Sequence, residues 1–273
     1  MSTKLSMPRY EERFIARPNL PDGKVLSVAL GSGAGEAAEK LRSLGINTWM
    51  ISPDTRLPEP INAHADIQLL HLGGNNIFCH KGFFATGEWR LKFNQVEIEG
   101  VIGNCYPSDV RLNCTLIGDK LICNPKTVAP EVLKFADKNS IKVISVNQGY
   151  ARCSVCVVSP NALMTDDNSV FAAAQNFFDD TLFISKGSIR LSGYGYGFIG
   201  GCCGKIDKDT IAFNGMIESH VDHNRIYDFM QRNNMNIIEL TKEPLTDIGG
   251  IIPLTESAAR NTIYKEIGTS QKP

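Results

Sequence analysis

The chain has 273 residues, with 28 Lys and Arg against 29 Asp and Glu and a formal net charge of −1. Bulk electrostatics therefore offer no attraction for nucleic-acid phosphates or an anionic membrane surface. A chain of this length buries most of its apolar surface without covalent staples, and its 8 cysteines lie mostly within apolar runs, so they read as reduced core thiols.

No apolar stretch approaches a membrane span, and the opening MSTKLSMPRYEERF has no apolar signal core. The expectation is a cytoplasmic protein with an irregular lead-in over residues 1–23, which carry Pro8, Pro18 and Pro21, and a single domain over 24–267. Residues 24–30 (KVLSVAL) read as a buried strand, Gly31 to Gly35 as a tight turn, and residues 36–44 as a helix with Ala37, Leu41 and Leu44 on one face. A strand over 46–52 and a proline-rich loop over 54–60 follow. Residues 65–81 read as a hairpin turning near Gly74 and Asn75, residues 82–94 carry no assignable pattern, and 96–102 read as a strand. A second hairpin spans 109–124 and turns at Gly118 and Asp119, with a helix over 130–139 and a strand over 141–146 behind it. A third, over 149–167, is two β-branched runs around Ser159-Pro160-Asn161, followed by a helix over 168–177 and a strand over 181–185. Residues 193–215 turn at Asp207 and Lys208 and lead to a helix over 222–233 and a strand over 236–240. Residues 245–254 read as the last strand and 257–267 as a closing helix.

Turn centres near 74, 119, 160 and 208 are spaced by roughly 41 to 48 residues, the spacing of a repeat architecture. Four hairpin–helix–strand units leave one strand over at each end. If these two pair, the ends of the chain close a ring of five units and leave no open sheet edge at the seam. Superposed turns place Arg111 opposite Arg152, with Asp66 at the corresponding place as a partner for either.

Five such units resemble the pentein fold, the α/β propeller of guanidino-group-modifying enzymes and of translation initiation factor 6. The stretches GFIGG (197–201), IAFNG (211–215) and PLTDIGGIIP (244–253) resemble, within that fold, an uncharacterised bacterial family. The resemblance implies a catalytic cysteine just after a Gly-Gly pair on the last strand, a histidine on the preceding hairpin, and carboxylates that hold a guanidinium. Here Gly249-Gly250 is followed by Ile251, Ile252 and Pro253, and Phe198 to Gly201 contain no histidine. Without thiolate and imidazole, the family's covalent and proton-transfer steps have no carriers at these positions.

The leading expectation is therefore a non-enzymatic protein that binds a small polar ligand, amino-acid- or guanidino-like, in an axial cavity lined by Arg111, Arg152, His71 and Asp247. A second is a thiol enzyme using Cys202 or Cys203, where neighbouring glycines leave room and strand alternation would point one thiol to each side of the sheet, with His71 as base. A third is an interaction scaffold. A fourth takes Gly31 to Gly35 and Asp54 as a dinucleotide site, although Glu36 stands where a third glycine belongs. Cys153 and Cys156 form C-x-x-C, but three residues apart on a strand they face opposite sides and read as core thiols. His220 and His223 read as surface residues. No metal or cofactor is expected, and the oligomeric state is left open.

Overall fold

The structure, a computed structural model, describes residues 11–83 and 92–258. It is the five-unit α/β propeller of the pentein fold. The first unit contains β1 (Glu11–Phe14), β2 (Val25–Gly31), α1 (Gly35–Ser43) and β3 (Asn47–Ile51). The second has a single helical turn, α2 (Ala65–Gln68), then β4 (Leu69–Gly73), β5 (Asn76–His80) and β6 (Asn94–Ile98). The third has β7 (Thr115–Ile117), β8 (Lys120–Cys123), α3 (Pro130–Lys138) and β9 (Lys142–Ser145). The fourth has β10 (Val155–Ser159), β11 (Ala162–Thr165), α4 (Asn168–Ala174) and β12 (Asp180–Phe183). The fifth has β13 (Cys203–Asp207), β14 (Thr210–Phe213), α5 (His223–Arg232) and β15 (Asn236–Glu239), and the last strand is β16 (Ile252–Ala258).

Each unit repeats one grammar: an antiparallel hairpin whose second strand pairs in parallel with the strand that follows it. The first unit obeys it only because the chain closes. β16 supplies the missing hairpin strand and pairs antiparallel with β2, Ile252 opposite Ala29 and Pro253 opposite Val28, while β2 runs parallel to β3. The predicted pairing of the chain ends is thus present, with a later boundary. The last strand starts at Ile252 rather than residue 245 because Gly249 and Gly250 have φ of +78° and +76°, a conformation no extended ladder contains.

Three further expectations are corrected. Residues 11–14 of the lead-in form β1, which covers the outer edge of β16. Residues 257 and 258 belong to β16 rather than to a closing helix, and the remainder of that expected helix lies outside the described residues. Cys202 and Cys203 do not point to opposite sides of a sheet: Cys202 ends a 3₁₀ turn ahead of β13, and both thiols pack into one core cluster.

Strand alternation builds the ring. Along β10, Val155 and Val157 face the third unit, while Cys156 and Val158 face the fifth. Leu69 packs towards the first unit and Leu70 towards the third. Ile211 and Phe213 pack towards the fourth unit and Ala212 towards the first. Five apolar clusters result, one at each junction between neighbouring units, so the inner hairpin strands are buried on both faces while outer strands such as β6 and β15 stay partly exposed. This is why the strands read as continuous apolar runs rather than strict alternation.

Candidate functional site

A segment ahead of each unit's first hairpin strand reaches the propeller axis, where the five segments form a closed hydrogen-bonded ring. Asp66 N–H donates to the Gly249 carbonyl (3.1 Å), Gly250 N–H to the Gly201 carbonyl (2.8 Å), and Gly201 N–H to the Cys153 carbonyl (3.1 Å). Asn113 supplies the last two links. Its Oδ1 accepts from Cys153 N–H (3.2 Å), and its Nδ2 donates to the Asp66 carbonyl (3.0 Å). The axis is therefore crossed by a polar plate rather than left as an open channel. Buried backbone groups need such partners, and Asn113 replaces two backbone groups with one amide.

On the loop side of the plate lies a cavity of about 210 Å³ lined by Ile61, His64, Ile67, Tyr150, Cys153, Leu191, residues 194–196, Phe198 and Asp247. Asp247 forms its floor. Its Oδ1 accepts from Gly249 N–H (3.0 Å) and its Oδ2 from Phe198 N–H (3.0 Å). The backbone of Gly201 lies so close that a Cβ there would fall on this carboxylate. His64 Nδ1 stands 3.7 Å from Asp247 Oδ1. Burial pushes the Asp247 carboxyl up, His64 opposes that shift, and the nearby Asp66 adds to it. Asp66 is itself buried, and its Oδ1 has no hydrogen-bond partner among the described residues.

Between the carboxylates sits Cys153. Its Sγ lies 3.1 Å from Asp66 Oδ2 and 3.0 Å from Asn113 Nδ2. Burial raises the thiol well above its ordinary value, and Asp66 and Asp247 raise it further. It stays a neutral S–H donor to Asp66 at neutral pH. The cavity wall is aromatic. Tyr150 stacks on Phe198 (centroids 6.0 Å, 25°), Tyr196 meets Phe198 edge-on (5.8 Å), and Tyr106 continues the series to Tyr150 (6.2 Å). The Tyr150 hydroxyl donates to Asp109 Oδ2 (2.5 Å).

The four expected ligand residues do not meet. Asp247 alone lines the loop-side cavity. Arg152 and His71 are on the strand side, in a crevice of about 10 Å³ with Leu69, Leu70, Cys114 and Ile252. Arg152 Nη1 donates to the carbonyls of Gly200 (3.2 Å) and Val155 (3.3 Å). His71 Nε2 is bonded to the Gly74 carbonyl (2.9 Å), and burial lowers its pKa to about 4. Arg111 lies elsewhere, donating to the Glu99 carbonyl (2.9 Å). Asp66 contacts Cys153 rather than either arginine. No hydrogen bond links His71 to Cys202 or Cys203. Those thiols are fully buried and pushed well up by desolvation, which makes neither an accessible nucleophile. His220, expected at the surface, is buried, with Nδ1 accepting from Asp222 N–H (3.0 Å).

The glycine turn at residues 31–35 opens a second cavity of about 390 Å³, which shares His64, Leu191 and Asp247 with the first. It does not form a dinucleotide site. β2 and β3 belong to a closed propeller blade rather than an open parallel sheet, Asp54 is tied up by Arg56 (Nε to Oδ1, 2.9 Å), and Glu36 already stands in the first turn of α1. Among the described residues, no group of three or more His, Cys, Asp or Glu is placed to hold a metal ion. No helix among them is long and apolar enough to cross a membrane.

The sequence reading assigned Cys153 to the core and did not single out His64, Tyr150, Tyr194, Tyr196 or Phe198. A signal was present. Asp66, Asn113, Cys153, Gly201 and Gly249 all fall two or three residues ahead of a unit's first hairpin strand, and the aromatic wall is written as Gly-Tyr and Gly-Phe pairs in GYARC and GYGYGF.

A family model described as Family of unknown function (DUF6873) matches residues 32–252, and the chain belongs to that family. No curated protein matches the sequence. Among solved structures, the inosamine-phosphate amidinotransferase StrB1 from Streptomyces griseus matches with a TM-score of 0.56 at 11% identity, over 93% of this chain and 98% of that one. A mutant of DDAH from Pseudomonas aeruginosa complexed with citrulline matches with a TM-score of 0.49 at 10% identity, over 86% of this chain and 100% of that one. The agmatine deiminase of C. jejuni matches with a TM-score of 0.33 at 11% identity, over 85% and 75%.

Proposed function

We propose that this member of the family binds a small cation, guanidino- or amino-like, in the loop-side pocket, and does so without covalent chemistry. The observation that carries the reading is the pair of buried carboxylates, Asp66 and Asp247. One oxygen of Asp66 has no partner among the described residues, and Asp247 lines the pocket with the His64 imidazole 3.7 Å away. A buried carboxylate without a full set of partners is costly, and a bound cation would offset that cost. Aromatic faces around it favour the same ligand. The amidinotransferase of the same fold handles an amidino group by name, which is in keeping with a guanidino-like cation. The neutral, raised thiol of Cys153 favours binding over nucleophilic attack.

Calorimetric titration with methylguanidine and butylamine tests this. The expected result is saturable binding that weakens at least about tenfold in Asp247→Asn and in Asp66→Asn, with both variants still folded. Undiminished affinity in both folded variants would remove the reading.

One observation favours a second reading. Cys153 is a thiol that lines the pocket and touches a carboxylate. A cation seated between Asp66 and Asp247 would cancel their influence and lower the thiol pKa, opening a route to thiol chemistry. Alkylation at neutral pH, read peptide by peptide, separates the two. The binding reading expects Cys105, which is exposed, to be labelled and Cys153 to stay unlabelled with or without methylguanidine. Acceleration at Cys153 by the cation would favour the thiol reading.

A further inference from the structure

We propose, resting on the cation reading above, that the ligand is a monocation with an aromatic body and no carboxylate, an arylalkylamine or arylalkylguanidine rather than an α-amino acid. Two independent features of the pocket lead there. The first is what surrounds the charged end. Among the described residues, no Lys or Arg lines the cavity. The cations expected to read an amino acid's carboxylate are held by backbone carbonyls elsewhere: Arg152 by Val155 and Gly200, Arg111 by Glu99. Lys186 stands 6.0 Å from the Tyr196 ring centroid, and it is paired with Asp167 at 3.6 Å. The adjoining cavity at the start of α1 adds Glu59 beside Asp247, and Glu36 stands in the first turn of that helix. A carboxylate brought in with the cation would thus meet Asp247 on the floor and no Lys or Arg among the described lining residues, at an uncompensated desolvation cost.

The second feature is the wall. Tyr150 and Phe198 are parallel enough to stack, Tyr196 stands edge-on to Phe198, and the rest of the lining includes Ile61, Ile67 and Leu191. Tyr194 and Tyr196 remain 44% and 37% exposed at the mouth, so aromatic surface faces solvent where a ligand's body would pass. Tyr150 is fixed by its bond to Asp109, and burial raises its phenol, so the ring stays neutral. Rings held in this way offer faces and edges to a second ring. At about 210 Å³ the cavity is smaller than the roughly 300–1,000 Å³ of drug-sized sites, which suits one ring and a short cationic arm.

The test is a set of matched probes on the full chain: butylamine, phenethylamine and phenylalanine, titrated by calorimetry at pH 7. Phenethylamine is expected to bind about tenfold more tightly than butylamine, and phenylalanine weakest of the three. In Tyr196→Ala the ratio of phenethylamine to butylamine affinity should fall. Because Tyr196 is partly exposed, this variant is not expected to unfold, and its melting temperature is checked alongside. Phenylalanine binding as well as phenethylamine, or butylamine matching phenethylamine, overturns the inference while the cation reading stands. Binding of none of the three amines overturns both.

Discussion

The two sides of the axial plate carry opposite charge and opposite accommodation. On the strand side a buried arginine, Arg152, sits beside His71 in a crevice of about 10 Å³, and the carbonyls of Gly200 and Val155 accept hydrogen bonds from its Nη1. On the loop side the buried carboxylate of Asp247 faces a cavity of about 210 Å³ with an imidazole, a neutral thiol and a band of aromatic rings, and Asp66 lies behind that thiol. The difference teaches how to separate structural from functional charge. Arg152 is enclosed and already partnered, so it holds the plate together. Asp247 faces a cavity with room for a ligand, and Asp66 beneath it keeps one oxygen without a partner among the described residues, a combination that suits a binding site.

The largest expected effect comes from erasing the difference between the two sides. A Cβ at Gly201 would fall on the Asp247 carboxylate, so Gly201→Ala should cost about 3 kcal/mol or more of stability by forced displacement and abolish cation binding, read by urea unfolding and titration. Next is Asn113→Ala. It removes the amide that accepts from Arg152 N–H and Cys153 N–H and donates to Asp66 and Cys153. It should cost about 2–3 kcal/mol, since buried groups are left without partners. It should also loosen Cys153, seen as faster alkylation.

On the strand side, His71 gives stability a pH dependence. His71 is held at about 4 against an ordinary 6.5. Between those values the unfolded chain binds a proton that the folded chain refuses, so stability falls as pH drops from 6.5 towards 4. The loss is up to about 3 kcal/mol at roughly 1.36 kcal/mol per pH unit. His80, also lowered to about 4 by burial, acts in the same window. His71→Gln should flatten the slope of unfolding free energy against pH, and an unchanged slope would show that His71 does not report the burial described. The smallest effect is Arg152→Met. It keeps the stem's volume but leaves two carbonyls without their donor, at about 1–2 kcal/mol, and should leave cation affinity unchanged. A large loss of affinity there would place the arginine in the ligand site after all.

The fold was more legible in the sequence than the site. Hairpin turns at Gly118-Asp119 and Pro160-Asn161, and the helices behind them, announce themselves through local chemistry and apolar periodicity. The closure of β16 on β2 followed from counting unpaired strands. The site is built from residues ahead of the strands, in segments with no period, and their meeting depends on fivefold closure. Arg111 and Arg152 looked like a pair because they occupy equivalent repeat positions, yet equivalence in a ring separates residues by one blade. Cys153 is buried in a core cluster, as C-x-x-C suggested, yet it also lines the cavity because β10 begins only at Val155 and Cys153 lies in the segment ahead of it. Asp247 was legible as a candidate, and its role became specific only once Phe198, Gly249 and Gly201 were seen to fix its carboxylate.

The most direct measurement is the affinity for phenethylamine as a function of pH, in the native protein and in Asp247→Asn. Asp247 titrates above the ordinary carboxylate range because it is buried, with His64 opposing and Asp66 reinforcing the shift. The native affinity should therefore rise with pH as Asp247 deprotonates, with proton release on binding at pH values where it is protonated in the free protein. Asp247→Asn should bind weakly, with most of that rise removed. Equal affinity in the two proteins at every pH, with Asp247→Asn fully folded, would contradict the claim that this pocket is a cation site built on Asp247.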